Sequence, residues 1–159
     1  TDSPLLILWV TITLVFMLWT IPSIGQEINP KYDSTLAKRL GADEYGMKSY
    51  ILVILKTGEN DIQDETVRDS LFAGHFENIN RLADRGKLIV AGPLVNNDKE
   101  YRGIFILDVT TIEEAEKLLQ LDPTVKQNVL DAELYKWYGA AALPEYLETQ
   151  KKIEKFQVK

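Results

Sequence analysis

The stretch Lys48–Thr57 (KSYILVILKT) is rich in strand-forming residues and apolar on both of its alternating sets, Tyr50/Leu52/Ile54 and Ile51/Val53/Leu55. Successive side chains of a strand point to opposite faces, so a sheet with one solvated face would leave one of these sets in water. Both faces of this strand therefore need cover, and the rest of the chain must supply it or recruit it.

Downstream, Asp64–Arg85 carries Val67, Leu71, Phe72, His75, Ile79 and Leu82 at helical spacing, with Gly86 as the stop. Lys87–Leu94 (KLIVAGPL) reads as a short strand closed by Gly92-Pro93, and Asn96-Asn97-Asp98 as a turn. Arg102–Val109 is the next strand, followed by a helix over Thr111–Leu121 that Asp122-Pro123 breaks. Val129–Tyr138 (VLDAELYKWY) alternates as a final strand. The order β-α-β-β-α-β is the ferredoxin-like α+β arrangement, an antiparallel four-stranded sheet with two helices on one face. Two helices cover a single face, so the other should be covered by a second copy, giving a homodimer through its sheet faces.

The ends differ in character. Residues 4–25 carry no charge, and Leu5–Thr20 is almost wholly apolar. Ser23-Ile24-Gly25 places small residues where a signal peptidase reads, so residues 1–25 form either a cleaved signal peptide or, the run being longer than a usual core of about 7–15 residues, a retained membrane anchor. No positive segment precedes it, and the sequence opens on Thr1, so further residues are expected upstream. Either reading exports the domain to the periplasm or beyond, with membrane contact only if the segment stays. Residues 26–46, with Pro30, Gly41 and Gly46, read as a tether that could hold a short helix over Ser34–Leu40. Residues 140–159 read as an amphipathic helical tail, a dimer brace or a solvated end.

Chemistry has few places to reside. The net charge of -6 argues against a nucleic-acid partner, which needs clustered Lys and Arg. With no cysteine, thiolate nucleophiles and cysteine-bound metals are excluded. Carboxylates and one histidine are a poor set for zinc, so no metal is expected, and no phosphate loop or dinucleotide fingerprint suggests a cofactor. His75, the single histidine, lies on the inward stripe of the first long helix. There it is either a general base or acid, or a hydrogen-bonded core side chain.

A carboxylate holding the ring would favour the first. Asp84 is nearest in sequence, yet nine residues along a helix place it on the opposite face and about 13 Å away. Asp122, in the loop after the second helix, can approach the first helix from outside, although the same residue would serve as an Asp-Pro corner. Ser70, Thr66, Tyr135, Trp137 and Tyr138 read more readily as surface, capping or core groups.

The stretch His75–Leu94 (HFENINRLADRGKLIVAGPL), a helix with histidine, then glycine, then a strand ending in Ala-Gly-Pro, resembles the YCII-related family signature. The resemblance extends through Leu121-Asp122-Pro123 to Tyr138 and covers roughly 47–138. It implies a dimeric α+β barrel and an active site built on a histidine and an aspartate, carried here by His75 and Asp122. The domain is thus expected over 47–139. The two function classes are a cofactor-independent enzyme, in which His75 oriented by Asp122 moves a proton on a small organic molecule near Gly92 and Pro93, and a non-catalytic exported domain that binds a small ligand or partner.

Overall fold

The computed structural model of the protein describes residues 27–155; the apolar segment read as a signal or anchor lies outside them. Two compact units are separated at Asp33/Ser34. Of the first, residues 27–33 are described, and Tyr32 N–H donates to Asn29 O in a turn there. The second unit contains helices α1 (Ser34–Leu40), α2 (Glu65–Asp84), α3 (Ile112–Leu119), α4 (Pro123–Lys126) and α5 (Leu147–Ile153), and strands β1 (Met47–Thr57), β2 (Leu88–Pro93), β3 (Tyr101–Leu107) and β4 (Leu130–Ala140). The strands form one antiparallel sheet in the order β2-β3-β1-β4, the ferredoxin-like topology. Among the described residues no helix is long and apolar enough to cross a membrane.

The two sets of β1 serve two different cores. Ile51, Val53 and Leu55 face α2 and α3 and pack with Leu82, Leu88, Phe105, Leu107, Ala115, Leu119 and Leu130. Each such fully buried aliphatic side chain contributes roughly 1.5–3 kcal/mol, so this cluster is the main source of stability. On the other face Tyr50 joins Ile89 and Ile106, and half-buried Leu52, Val90, Trp137, Leu143 and Leu147 pack against them.

Leu143 and Leu147 belong to the tail, which begins as a 3-10 turn over Leu143–Tyr146 and continues into α5. Tyr146 anchors it by donating its hydroxyl to Ile89 O. The tail therefore covers one end of the face opposite the helices. The compact unit also begins before the strand, at Ser34. Within residues 34–46, Arg39 forms a two-pronged ion pair with Glu145, and Asp43 accepts from the Tyr138 hydroxyl and from Met47 N–H.

Two readings of the helices shift. The buried stripe of α2 is His75, Asn78 and Leu82, whereas Val67, in the helix's first turn, is 46% exposed. Asp122-Pro123 does more than break α3: Asp122 caps α4, whose first residue is Pro123, a position where proline's missing N–H costs nothing.

Candidate active site

His75 and Asp122 are 47 residues apart in the chain and meet in the core. Helix α2 starts cleanly because the Asp64 side chain accepts from Val67 N–H, and its stripe delivers His75 toward the sheet. The chain leaves α3 in a tight turn, with Asp122 N–H bonded to Leu119 O, and re-enters a helix at once. That second entry packs α4 against α2.

Gly74 permits the approach. A Cβ there would stand 2.6 Å from Pro123 Cγ, closer than real Cβ atoms come. Glycine inside a helix costs about 0.5–1 kcal/mol relative to alanine, a cost that here lets Pro123, and with it Asp122, close onto the turn bearing His75.

The geometry of the pair is tight. Asp122 Oδ2 lies 2.6 Å from His75 Nδ1, and its other oxygen, Oδ1, accepts from Thr124 Oγ1 at 2.7 Å and from Thr124 N–H at 3.0 Å. Asp122 and Thr124 are fully buried and His75 is 7% exposed. Burial pushes the Asp122 carboxyl up, but the hydrogen bonds from His75 and from the side chain and backbone of Thr124 more than offset it and hold the group below its ordinary 3.8. The carboxyl is therefore ionised at neutral pH and can only accept hydrogen bonds. Nδ1 must then carry the ring proton, which leaves the lone pair on Nε2.

Among the described residues the hydrogen bonds of the ring are made at Nδ1, which leaves Nε2 without a partner there. The ring sits among aromatics. Phe105 stacks on it at 6.0 Å, while Phe72 and Phe76 present edges at 6.1 and 5.5 Å. In its neutral form an oriented imidazole with apolar walls can accept a proton and return it.

The other expected site residues, Gly92 and Pro93, lie on β2 opposite Ile104 and Gly103 of β3. No hydrogen bond or ring contact links Gly92 or Pro93 to the pair. Gly92 pairs with Ile104, whose side chain alternates to the face opposite Phe105, and a Cβ built at Gly92 would meet nothing within 4 Å. A surface cleft lined by Lys56, Thr57, Gly58, Glu59, Asn128 and Asp131 contains neither member of the pair. Asp84 is exposed at the end of α2. Among the described residues no group of three His, Asp or Glu side chains could hold a metal.

Three contributors escaped the sequence reading. Thr124 had a usable signal, since Asp-Pro-Thr sets a hydroxyl two residues after a capping carboxylate. Gly74 had one in being a glycine inside a helical pattern. Of the aromatic walls, Phe72 shares the predicted stripe and Phe76 adjoins His75 in sequence, whereas Phe105 had no signal because it comes from a strand distant in sequence.

The YCII-related domain family model matches residues 50–138, more than half of the chain. No curated protein matches it. Among solved structures the chain is similar to 5-chloro-2-hydroxyhydroquinone dehydrochlorinase (TftG) from Burkholderia phenoliruptrix AC1100, in complex with 2,5-dihydroxybenzoquinone. The two share 20% identity with a TM-score of 0.40, over 55% of this chain and 92% of that one.

Proposed function

Since the chain belongs to the YCII-related domain family, we propose that it is a cofactor-independent enzyme in which His75 Nε2 moves a proton on a small organic molecule. The observation that carries this reading is the 2.6 Å contact between His75 Nδ1 and a fully buried, ionised Asp122. Asp122 fixes the tautomer and stabilises the imidazolium that forms when Nε2 takes a proton. Thr124 holds the carboxylate through two hydrogen bonds to Oδ1, which leaves Oδ2 to the ring. Phe72, Phe76 and Phe105 supply an apolar lining for the substrate's carbon skeleton. Elimination, isomerisation and hydrolysis all fit a single base that becomes an acid in the next step.

The test is a panel of small aromatic and carbonyl compounds incubated in D2O with the wild-type domain and with His75→Gln, followed by NMR for deuterium incorporation or product. At least one compound should react with the wild type and slow by about 10²–10⁴-fold in the variant, the usual contribution of a positioned acid–base group. Equal rates for both proteins across the panel would contradict the proposal.

The small exposure of His75, 7%, favours a second reading, a ligand-binding domain in which the pair serves packing. In that case panel members bind with affinities indifferent to His75→Gln and none is converted.

The open sheet face supports a further part of the reading. Ile54 and Ile104 are half-buried and Tyr135 is 49% exposed on the face opposite the helices. We place a second copy there. Light scattering of the chain from Gln26 onward should return twice the monomer mass at micromolar concentration, and a monomer would rule the arrangement out.

A further inference from the structure

Among the described residues one sealed side-chain polar atom has no hydrogen-bond partner: Nδ2 of Asn78, a residue 3% exposed and one helical turn beyond His75. Its amide orientation is fixed. Arg81 donates Nη2–H to Asn78 Oδ1, and turning the amide over would set two donors against each other. Nδ2 is therefore held on the side of the amide away from the guanidinium. Residues three apart on a helix are neighbours, about 5–6 Å between Cβ atoms, and Cα–Cβ bonds tilt toward the helix N-terminus. The free donor and His75 thus belong to adjacent turns of one buried stripe. Buried donors are almost always paired, so an unpaired one beside an oriented base calls for an acceptor.

We infer that Asn78 Nδ2 is a hydrogen-bond donor to a substrate oxygen, and that the substrate is a carbonyl compound with an abstractable proton on the adjacent carbon. The inference rests on the reading of His75 as a base. Nε2 takes the proton from the carbon beside the carbonyl. The C–H electron pair becomes the C=C bond of an enolate, the carbonyl π pair moves onto oxygen, and Nδ2–H donates to that oxygen as its charge grows. Where the substrate carries a β,γ double bond, the enolate then re-forms its carbonyl, its C=C pair shifts to the α,β position, and the former β,γ pair takes the proton back from the imidazolium at the γ carbon, which is isomerisation. Alternatively the enolate re-forms its carbonyl as an anionic leaving group departs from the next carbon, and the proton stays on His75, which is elimination. The charged partner on Oδ1 polarises the amide and makes Nδ2–H a stronger donor. A hydrogen bond that strengthens as charge develops on oxygen accelerates the step rather than merely binding the ground state.

The experiment uses 4-nitrophenolate as the oxyanion probe, titrated by absorbance into wild type, Asn78→Leu and His75→Gln, with thermal melts of all three. Asn78→Leu should weaken probe binding by about tenfold or more. It should also melt no lower than wild type, because it removes a donor that had no partner while half-buried Arg81 can turn to solvent. A structural asparagine would behave in the opposite way, so an Asn78→Leu protein that melts markedly lower, fails to fold, or binds the probe as wild type does overturns the inference. In the wild type, the side-chain amide protons of Asn78 should shift downfield on probe binding, and an unmoved resonance would count against the contact. The His75→Gln arm separates the two readings. If that variant keeps probe binding while no panel compound is converted by the wild type, the base reading fails and the oxyanion donor stands. If conversion depends on His75 and is unchanged in Asn78→Leu, the donor fails and the base stands.

Discussion

Asp122→Ala is expected to destabilise the domain by about 3 kcal/mol and to lower its melting temperature by roughly 10 °C. The carboxylate is fully buried and accepts from three donors, His75 Nδ1, Thr124 Oγ1 and Thr124 N–H. Its removal leaves both Thr124 donors without their acceptor and His75 Nδ1 with only the 3.4 Å contact to Thr124 Oγ1, and hydrogen bonds to a charged group are each worth about 1.5–3 kcal/mol. The net loss falls below their sum because the costly desolvation of the carboxylate disappears as well. Urea melts should show a lower midpoint with an unchanged slope, the signature of lost stability without a changed denatured state. Asp122→Asn should lose less, since an amide oxygen still accepts one bond, yet it should release the histidine from its fixed tautomer. A midpoint for Asp122→Ala within experimental scatter of wild type would mean that the pair does not form in solution.

Gly74→Val should cost about 2–3 kcal/mol, and for a reason opposite to helix propensity. Valine forms helix better than glycine, and at an exposed position the change would be neutral or favourable. Here the added Cβ would stand 2.6 Å from Pro123 Cγ, a ring atom that cannot rotate away. Either α4 moves out or α2 bends, and both shifts carry Asp122 off the ring. Gly74→Ala sets a gain of up to about 1 kcal/mol in propensity against the same clash and should still come out destabilising. Conversion of any panel compound should fall even at temperatures where the variants remain folded, because Gly74 acts by positioning Asp122 and touches no substrate. If the alanine variant is more stable than wild type and equally active, α4 is free to give way and the close approach is not what sets the pair.

Much of this was legible from periodicity. The doubly apolar alternation of β1 foretold two buried faces, and the element order foretold the sheet, because both properties are spread over long stretches in which single residues average out. What was missed is local or tertiary. Helix α4 has four residues, too few to show a period, so Asp122-Pro123 read as an end rather than as a beginning. Asn78 was passed over because a polar residue on an inward stripe looks like a gap in the pattern, although its buried neighbours are His75 and Leu82. The tail's amphipathic character was visible, but not that Leu143 and Leu147 would settle against Tyr50, Ile89 and Ile106, since that depends on where the sheet face ends. Helix geometry ruled out Asp84, but Asp122 was named as the partner through the family resemblance, since its own residues read as an Asp-Pro corner. The loop's actual path onto His75 depended on Gly74, whose meaning appears only once Pro123 is beside it.

The central claim is that Asp122 holds His75 with its proton on Nδ1 and its lone pair on Nε2. The sequence contains a single histidine, so ring-labelled protein gives one pair of imidazole nitrogen signals without assignment. At neutral pH, a nitrogen-15 spectrum correlated to the ring carbon protons should show Nδ1 as the protonated, pyrrole-type nitrogen and Nε2 as the unprotonated, pyridine-type one. That pattern should be lost in Asp122→Asn. The reverse tautomer in the wild type, or signals averaged between the two forms and unchanged by Asp122→Asn, would contradict the account.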